Sequence, residues 1–157
     1  MNDWRSTRHR QPNGRAEWIG VLARTPRDEL EAAWAELAEE VSFEWLRAPR
    51  IGLVMVRGRI GATGRPFNLG EMTVTDCMLR LTDGAVGYAC VAGRDPRRAE
   101  LAALFDALLQ RKPGSRLDAA IALFRSKQDE RRETASRKAA STKVEFFASN
   151  AERSGAP

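Results

Sequence analysis

Few side chains in this sequence have the type and setting that catalysis requires. Its single histidine, His9, lies in a polar N-terminal tail that we predict to be disordered, so a histidine base or catalytic triad is not expected. The two cysteines, Cys77 and Cys90, fall within predicted strands, where a thiol usually packs as a small apolar side chain. One histidine and two cysteines also give no usual zinc-ligand spacing. We therefore predict no catalytic residue, metal site or cofactor on this chain.

Arginines are the better candidates for chemistry, because a guanidinium group binds phosphate through paired hydrogen bonds. Arg59, Arg65 and Arg94 lie in the middle third of the sequence and are our candidate substrate-binding residues. The glycine-rich segment 61–65 could bring backbone amides to a phosphate. It lacks the lysine and the spacing of a P-loop, however, and turn glycines explain the pattern better. The competing interpretation of the three arginines is an ordinary solvated surface.

Composition limits the class of protein. A chain of 157 residues is long enough for one domain with a substantial core, and no apolar run approaches the roughly 20 residues of a membrane span. The tail lacks the apolar core of a secretory signal, so we expect a cytoplasmic protein. The net charge of +5 favours anionic partners. Basic and acidic residues alternate after Arg125, which is typical of a solvated helix and makes nucleic-acid binding an unlikely third hypothesis.

Helices and strands that could position these residues follow from periodicity. Helices are predicted from about Ala16 to Ala23, after Thr25 and Pro26, after Asp95 and Pro96, and after Ser115. Their apolar stripes, three to four residues apart, include Leu30, Trp34, Leu37, Leu101, Leu104, Phe105, Leu108, Leu117, Ile121 and Phe124.

Four strands are predicted between the second and third helices. A first strand around Val41 to Trp45 is expected to end at Pro49, and a second, 51–60, is apolar on both faces and is predicted to be central in the sheet. Asp83-Gly84 predicts a two-residue hairpin that joins the last two strands. That register places Cys77 opposite Cys90 and puts six side chains on the helix-covered face: Cys77, Leu79, Leu81, Val86, Tyr88 and Cys90.

The C-terminal segment differs in composition from the rest. From Arg125 to Lys143 the only apolar side chains are alanines, which is compatible with a helix but offers little to pack on the core. Val144, Phe146 and Phe147 follow, and we predict that they anchor an arm to a partner; the alternative is that they fold back onto this chain's own core. The predicted organisation is a disordered tail 1–14, an α+β core domain 15–124 with a four-stranded, mainly antiparallel sheet and packed helices, and an extended C-terminal helical arm 125–157.

Two central blocks resemble a known family. GLVMVRGRIGATGRPFNLGE (52–71) and RLTDGAVGYACVAGRDPRRAELAALFDALL (80–109) are similar to the G-type subunits of the bacterial carbon–phosphorus lyase core complex, the PhnG family. With Trp18 and the C-terminal Val144, Phe146 and Phe147, the resemblance covers about residues 15–148. The residues that carry it are Gly61, Thr63, Gly64, Phe67, Gly70, Arg80, Leu81, Asp83, Gly84, Gly87, Tyr88, Gly93, Arg94, Asp95, Ala99, Glu100, Asp106, Ala107 and Leu108.

The resemblance implies a subunit of an enzyme that breaks down phosphonates. In the family, the I-type subunit, helped by the G- and H-type subunits and the ABC-type L protein, displaces adenine from ATP with methylphosphonate and forms α-D-ribose 1-methylphosphonate 5-triphosphate. A later radical step uses S-adenosylmethionine and an iron–sulfur cluster on the J-type subunit. The implied partners are therefore the H-, I- and J-type subunits, with the ABC-type K and L proteins indirectly. The role expected of this chain is assembly and active-site support; the alternative is that Arg59, Arg65 and Arg94 complete an active site between subunits.

Overall fold

The computed structural model describes residues 14–37, 40–60, 64–111 and 116–141. Within these ranges the chain forms four helices and three antiparallel strands, which confirms the α+β class. Every described helix packs on one side of the sheet or on a neighbouring helix of that layer. The elements in chain order are α1 (Gly14–Arg24), α2 (Arg27–Leu37), β1 (Phe43–Arg59), β2 (Pro66–Leu81), β3 (Val86–Ala92), α3 (Pro96–Arg111) and α4 (Arg116–Ser141).

The prediction of four strands was wrong, because the two predicted strands on either side of Pro49 are one continuous strand, β1. The sheet order is β1-β2-β3, so β1 is an edge strand, and its register with β2 shifts between Arg47 and Arg50. A proline has no amide hydrogen to donate, and an edge strand with an irregular register tolerates that loss. The predicted central position of 51–60 was also wrong, because these residues belong to β1 and β1 is an edge strand.

The hairpin between β2 and β3 has a longer loop than Asp83-Gly84 suggested. The Leu81 amide donates to the Ala85 carbonyl at 2.9 Å, so the loop holds three residues, and Gly84 adopts a positive φ of 93°. A type I turn followed by a left-handed glycine is the common three-residue solution. The register is therefore shifted by one residue: Cys77 lies opposite Ala89, and Cys90 lies opposite Asp76.

This shift reverses the two faces of β3, since successive side chains of a strand point to opposite sides. The buried positions of β3 are Gly87, Ala89 and Val91, whereas the side chains predicted to be inside are only partly buried. On β2 the prediction was right. Cys77, Leu79 and Leu81 are buried against the helices.

The core lies between the sheet and the helices, with Phe105 of α3 at its centre. The Phe105 ring meets Trp34 of α2 edge-on with centroids 5.8 Å apart, and Phe124 of α4 at 6.1 Å. The predicted helix stripes are confirmed as buried or packed on the core. Ten of the eleven positions from Ala99 to Leu109 are buried, all except Glu100, because α3 is covered by the sheet on one side and by the other helices on the other.

A polar junction joins the ends of α1 and α3. Asp95 accepts a hydrogen bond from the Arg98 amide at 3.0 Å, which confirms the predicted cap. Thr25 does not cap α2; its hydroxyl donates to the Val21 carbonyl at 2.9 Å and closes α1. Arg98 donates to the carbonyls of Ala23 (2.7 Å) and Thr25 (2.8 Å), and burial lowers the pKa of its guanidinium. Helix ends that need acceptors or donors are thus satisfied by side chains from other elements.

Helix α4 is held to α1 and α2 beyond its last buried apolar residue, Phe124. Arg125 pairs with Glu17 at 2.6 Å, and Arg131 pairs with Glu29 at 2.6 Å. Residues 132–141 continue as an exposed helix. The boundary at residue 125 stays a prediction, as does the tail, of which residues 1–13 lie outside the described ranges. Within those ranges no helix is both long enough and apolar enough to cross a membrane.

Candidate interaction surface

The face of the sheet that turns away from the helices carries a cluster of charged and polar side chains. Arg47 and Arg50 of β1 both bind Asp76 of β2, with Nη2–Oδ2 and Nε–Oδ1 distances of 2.9 Å. Tyr88 and Cys90 of β3 belong to the same face, and the Arg47 guanidinium lies 5.9 Å from the centre of the Tyr88 ring. These five residues form what we call the bare-face cluster. The cross-strand register explains it, since Arg50, Asp76 and Cys90 are neighbours on three adjacent strands.

The bare-face cluster is suited to recognition. Asp76 fixes the directions of two guanidinium groups, and most of their N–H donors remain open for an incoming carboxylate or phosphate. The Nε of Arg47 is buried without a hydrogen-bond partner among the described residues. Burial and the neighbouring Cys90 raise the pKa of Tyr88, so its phenol stays protonated and can donate. Arginine and tyrosine in such a setting are typical of interface anchors.

A second feature is a two-stranded extension of the sheet, which we call the ribbon: residues 53–60 and 66–73. Strand β3 ends at Ala92, opposite Val74, which itself lies opposite Gly52. The Thr73 carbonyl still accepts a hydrogen bond from the Gly93 amide at 2.8 Å; beyond it β1 and β2 pair only with each other, as far as Arg59 opposite Pro66. Over seven residues of β1, at about 3.3 Å each, the ribbon is roughly 23 Å long.

The ribbon exposes an unusual number of large apolar side chains. Leu53 is 64% exposed and Leu69 is 66% exposed, whereas comparable side chains in the core are below 10%. The exposed residues lie on both faces, because they occur at consecutive positions of β1. A soluble monomer rarely leaves such a patch uncovered. The large apolar residues of the ribbon with more than a third of their surface exposed are Leu53, Val54, Met55, Ile60, Phe67, Leu69 and Met72.

The three arginines predicted from the sequence do not converge in this chain. Arg59 and Arg65 lie together at the far end of the ribbon, and Arg59 donates to the Gly64 carbonyl at 3.1 Å. Arg94 is exposed at the start of α3, near the Val74–Ala92 pair. Eight residues of β2 separate that pair from Pro66, a distance of about 26 Å. Their substrate-binding role stays a prediction.

Other predicted sites lie outside the described residues. These are the anchor Val144, Phe146 and Phe147, the histidine His9, and the glycine-rich positions 61–63. In the described part of the chain no group of three or more histidine, cysteine, aspartate or glutamate side chains is arranged to hold a metal ion.

Sequence reasoning missed the bare-face cluster for two reasons. With Cys77 placed opposite Cys90, Tyr88 was assigned to the helix-covered face and not to the face of Asp76. The division of β1 at Pro49 also left Arg47 and Arg50 without a predicted pairing to Asp76. A signal was present nonetheless. An aspartate in the middle of an otherwise apolar strand requires a partner, and the nearest arginines on the adjacent strand are Arg47 and Arg50.

The two free thiols should differ in reactivity. Cys77 is fully buried, and burial, with a smaller effect of Asp76, raises its pKa to about 12; Cys90 is only partly buried on the bare face. At pH 8 we expect a thiol reagent such as DTNB to label Cys90 readily and Cys77 only when the chain opens, because the reagent requires an accessible thiolate. A Cys90→Ser variant isolates Cys77, and labelling in denaturant gives the full count. Equally fast labelling of both thiols in the folded chain would contradict this assignment.

Comparison with known proteins bears on both surfaces. The sequence profile of the family described as "Phosphonate metabolism protein PhnG" matches residues 13–149. This chain belongs to the PhnG family. The match spans every described residue, so the ribbon and the bare-face cluster both lie within the family-matched part.

A curated relative of the PhnG family agrees. The chain is 41% identical over 137 residues to the "Alpha-D-ribose 1-methylphosphonate 5-triphosphate synthase subunit PhnG" of Rhizobium meliloti (strain 1021). The alignment covers 85% of this chain and 86% of the relative, so the likeness extends over nearly the whole length of both. The resemblance drawn from the two central blocks is thereby confirmed.

Proposed function

We propose that this chain is a subunit of an α-D-ribose 1-methylphosphonate 5-triphosphate synthase and supports the formation of that product from ATP and methylphosphonate, with release of adenine. The observation that carries the proposal is the 41% identity to such a subunit across most of both chains. At this level of identity two chains share one fold. The cellular location that fits this role is the cytoplasm.

We propose that the chain contributes to assembly of the enzyme and supports an active site that lies on a partner subunit. The activity of that site is a transferase activity. Two features support this view. The ribbon offers apolar surface on both faces, which favours contact with another protein. The bare-face cluster offers paired guanidinium groups and a protonated phenol, which bind and orient a group.

The partners we propose are the H-, I- and J-type subunits of the carbon–phosphorus lyase core complex, with the K and L proteins attached indirectly. ATP is then a substrate bound mainly by a partner. The iron–sulfur cluster and S-adenosylmethionine belong to the J-type subunit and its later step. Val144, Phe146 and Phe147 remain a second proposed attachment point.

Reconstitution tests the proposal. The H-, I- and J-type subunits are co-expressed with and without this chain, with the L protein supplied, and the ribose product is measured from ATP and methylphosphonate. We expect the chain to co-purify in a fixed ratio and product formation to fall at least about tenfold without it, because its surfaces complete the assembly. A Cys77→Ala variant is the control for a chemical role of the buried thiol and should keep its turnover, because Cys77 lies outside the bare-face cluster. Undiminished product in the absence of the chain would contradict the proposal.

The alternative is a direct contribution of arginines to an anion site between subunits. The observation that favours it is that Arg65 is exposed at the end of the ribbon and has no hydrogen-bond or ion-pair partner among the described residues. Arg59→Gln, Arg65→Gln and Arg94→Gln are compared singly in the assembled complex. A loss of turnover with normal assembly supports the alternative; unchanged turnover in all three removes it.

A further inference from the structure

The ribbon is an element that its own chain does not support. It has two strands, whereas an isolated two-stranded hairpin is only marginally stable in water and needs a third strand or a packed layer. Beyond the Gly52–Val74 pair neither β3 nor a described helix provides one. Its pairing nevertheless extends to Arg59 and Pro66, with one register shift between Val56 and Arg57, which indicates that another surface covers it in the functional state.

Both faces of the ribbon need that cover. Val54 and Met72 form a cross-strand pair on the same side as the bare-face cluster, whereas Leu53 and Met55 lie on the side of the helices. The exposed fractions are 38% for Val54, 42% for Met72 and 52% for Met55. A flat partner surface would cover one side only. A cleft that encloses the ribbon covers both.

The backbone of the ribbon also permits a close approach. At Gly70 in the ribbon and at Gly52 at its base, a Cβ atom would meet nothing within 4 Å. The backbone at these two positions is therefore exposed, with no side chain above it. Glycine at such places lets another chain come against the backbone. The apolar side chains project from the ribbon, and the glycine positions between them leave depressions into which partner side chains can fit.

The charge of the ribbon indicates what borders the cleft. Between residues 51 and 73 the sequence contains three arginines, Arg57, Arg59 and Arg65, and one acidic residue, Glu71, which lies opposite Met55. In the described structure none of the three forms an ion pair within this chain. A second copy would bring the same positive charges to the contact, which disfavours self-association through the ribbon ends. Acidic side chains on the partner would complement them.

A lipid bilayer fits less well, although a basic and apolar element can bind anionic membranes. Both edges of the ribbon carry backbone N–H and C=O groups that no neighbouring strand pairs in the described structure. Such groups are costly in hydrocarbon, where open strand edges do not occur. A protein cleft can pair them.

We propose that the ribbon inserts into an apolar cleft of a partner subunit, and that Asp and Glu side chains border this cleft where Arg57, Arg59 and Arg65 emerge. The proposal rests on the proposed function, since it names the contact through which the chain enters the synthase. The bare-face cluster lies at the base of the ribbon and continues the same contact surface.

The first test removes apolar surface without disturbing the fold. A Leu53→Thr, Leu69→Thr double variant places β-branched residues, which favour strands, at two exposed positions, and its melting temperature should stay within about 2 °C of the parent. We expect its affinity for the co-expressed H-, I- and J-type subunits to fall at least about tenfold. Leu123→Gln is the matched control, because Leu123 is 54% exposed on α4, away from the ribbon. It should assemble like the parent.

The second test reverses one charge. Arg57→Glu should weaken assembly about tenfold or more, and rising salt should weaken assembly of the parent more than of Arg57→Gln. Arg116→Glu at the exposed start of α4 is the control, since an acidic residue is favourable there. A photo-crosslinker at Leu69 in the purified complex should attach to a partner segment that contains apolar residues next to Asp or Glu.

The outcomes separate the two proposals. Failure of the parent chain to join the co-expressed subunits overturns the proposed function and this inference with it. If the parent joins and the Leu53/Leu69 variant joins equally well, the inference alone is overturned. Crosslinking of Leu69 to a second copy of this chain, or binding of the parent to phosphatidylserine vesicles that the Leu53/Leu69 variant no longer binds, also overturns it.

Discussion

Replacing Asp106 by alanine is expected to lower the free energy of unfolding by about 3 kcal/mol. The Asp106 carboxylate is fully buried in α3 and accepts hydrogen bonds from Arg15 (Nη2 at 2.9 Å, Nε at 3.2 Å), the Trp18 indole at 2.9 Å and the Tyr88 amide at 2.9 Å. Alanine would leave the Trp18 and Tyr88 donors without a partner, and α1 would lose one of its polar links to α3. A thermal melt should then shift down by about 6–12 °C.

Two further variants are compared with Asp106→Ala in the same melt: Asp106→Asn as an intermediate change and Glu130→Ala as a control. Asparagine keeps the size and one acceptor but loses the charge, so an intermediate loss is expected. Glu130 is exposed on α4, and its replacement should change stability by no more than about 0.5 kcal/mol. A parent-like melt of Asp106→Ala would show that the carboxylate does not join α1, α3 and β3.

Gly87→Ala is expected to destabilise the chain by about 3 kcal/mol, since overpacking of a tight contact costs on this scale. Gly87 lies in β3 where α3 crosses it, and an added Cβ would fall 1.9 Å from the Ala103 carbonyl oxygen and 3.0 Å from the Ala107 Cβ. The nearest atom belongs to the helix backbone, which cannot move aside without separating α3 from the sheet. Urea or thermal unfolding measures the loss.

Gly70→Ala is the matched control, because it makes the same change in the neighbouring strand. A Cβ at Gly70 would meet nothing within 4 Å, and alanine costs less backbone entropy than glycine. We expect stability to be unchanged or slightly increased, by up to about 0.5 kcal/mol. Equal behaviour of the two variants would contradict the close packing of α3 on β3.

Both variants test the scaffold, and their positions explain why the scaffold matters for assembly. Gly87 belongs to β3 and faces α3, Asp106 of α3 lies beneath this strand, and Tyr88 and Cys90 of β3 lie on the opposite face. The Tyr88 amide is itself a hydrogen-bond donor to Asp106. Loss of the buried contact would therefore displace the bare-face cluster as well as weaken the fold.

The sequence by itself determined the α+β class, the positions of the four helices and their buried stripes, and the family. These features depend on local patterns. A cap such as Asp95 acts on the helix that follows it, and an apolar stripe on α3 arises from residues three to four positions apart. The family resemblance likewise rested on residues that stand close together in two blocks. Each of these signals is contained in a short stretch of the chain, of about ten to thirty residues.

Only the tertiary structure decided the strand count, the register of β3 and the exposure of the ribbon. The hairpin register depended on whether the loop has two or three residues, and Asp83-Gly84 is compatible with both until the Leu81–Ala85 hydrogen bond is seen. An apolar run such as 51–60 has the same sequence pattern in a central strand of a sheet and in an exposed strand that another protein covers. What distinguishes them is which surface lies against the strand, and local sequence does not specify that. No described surface of this chain covers the ribbon, which is why we look for its binding partner in another subunit.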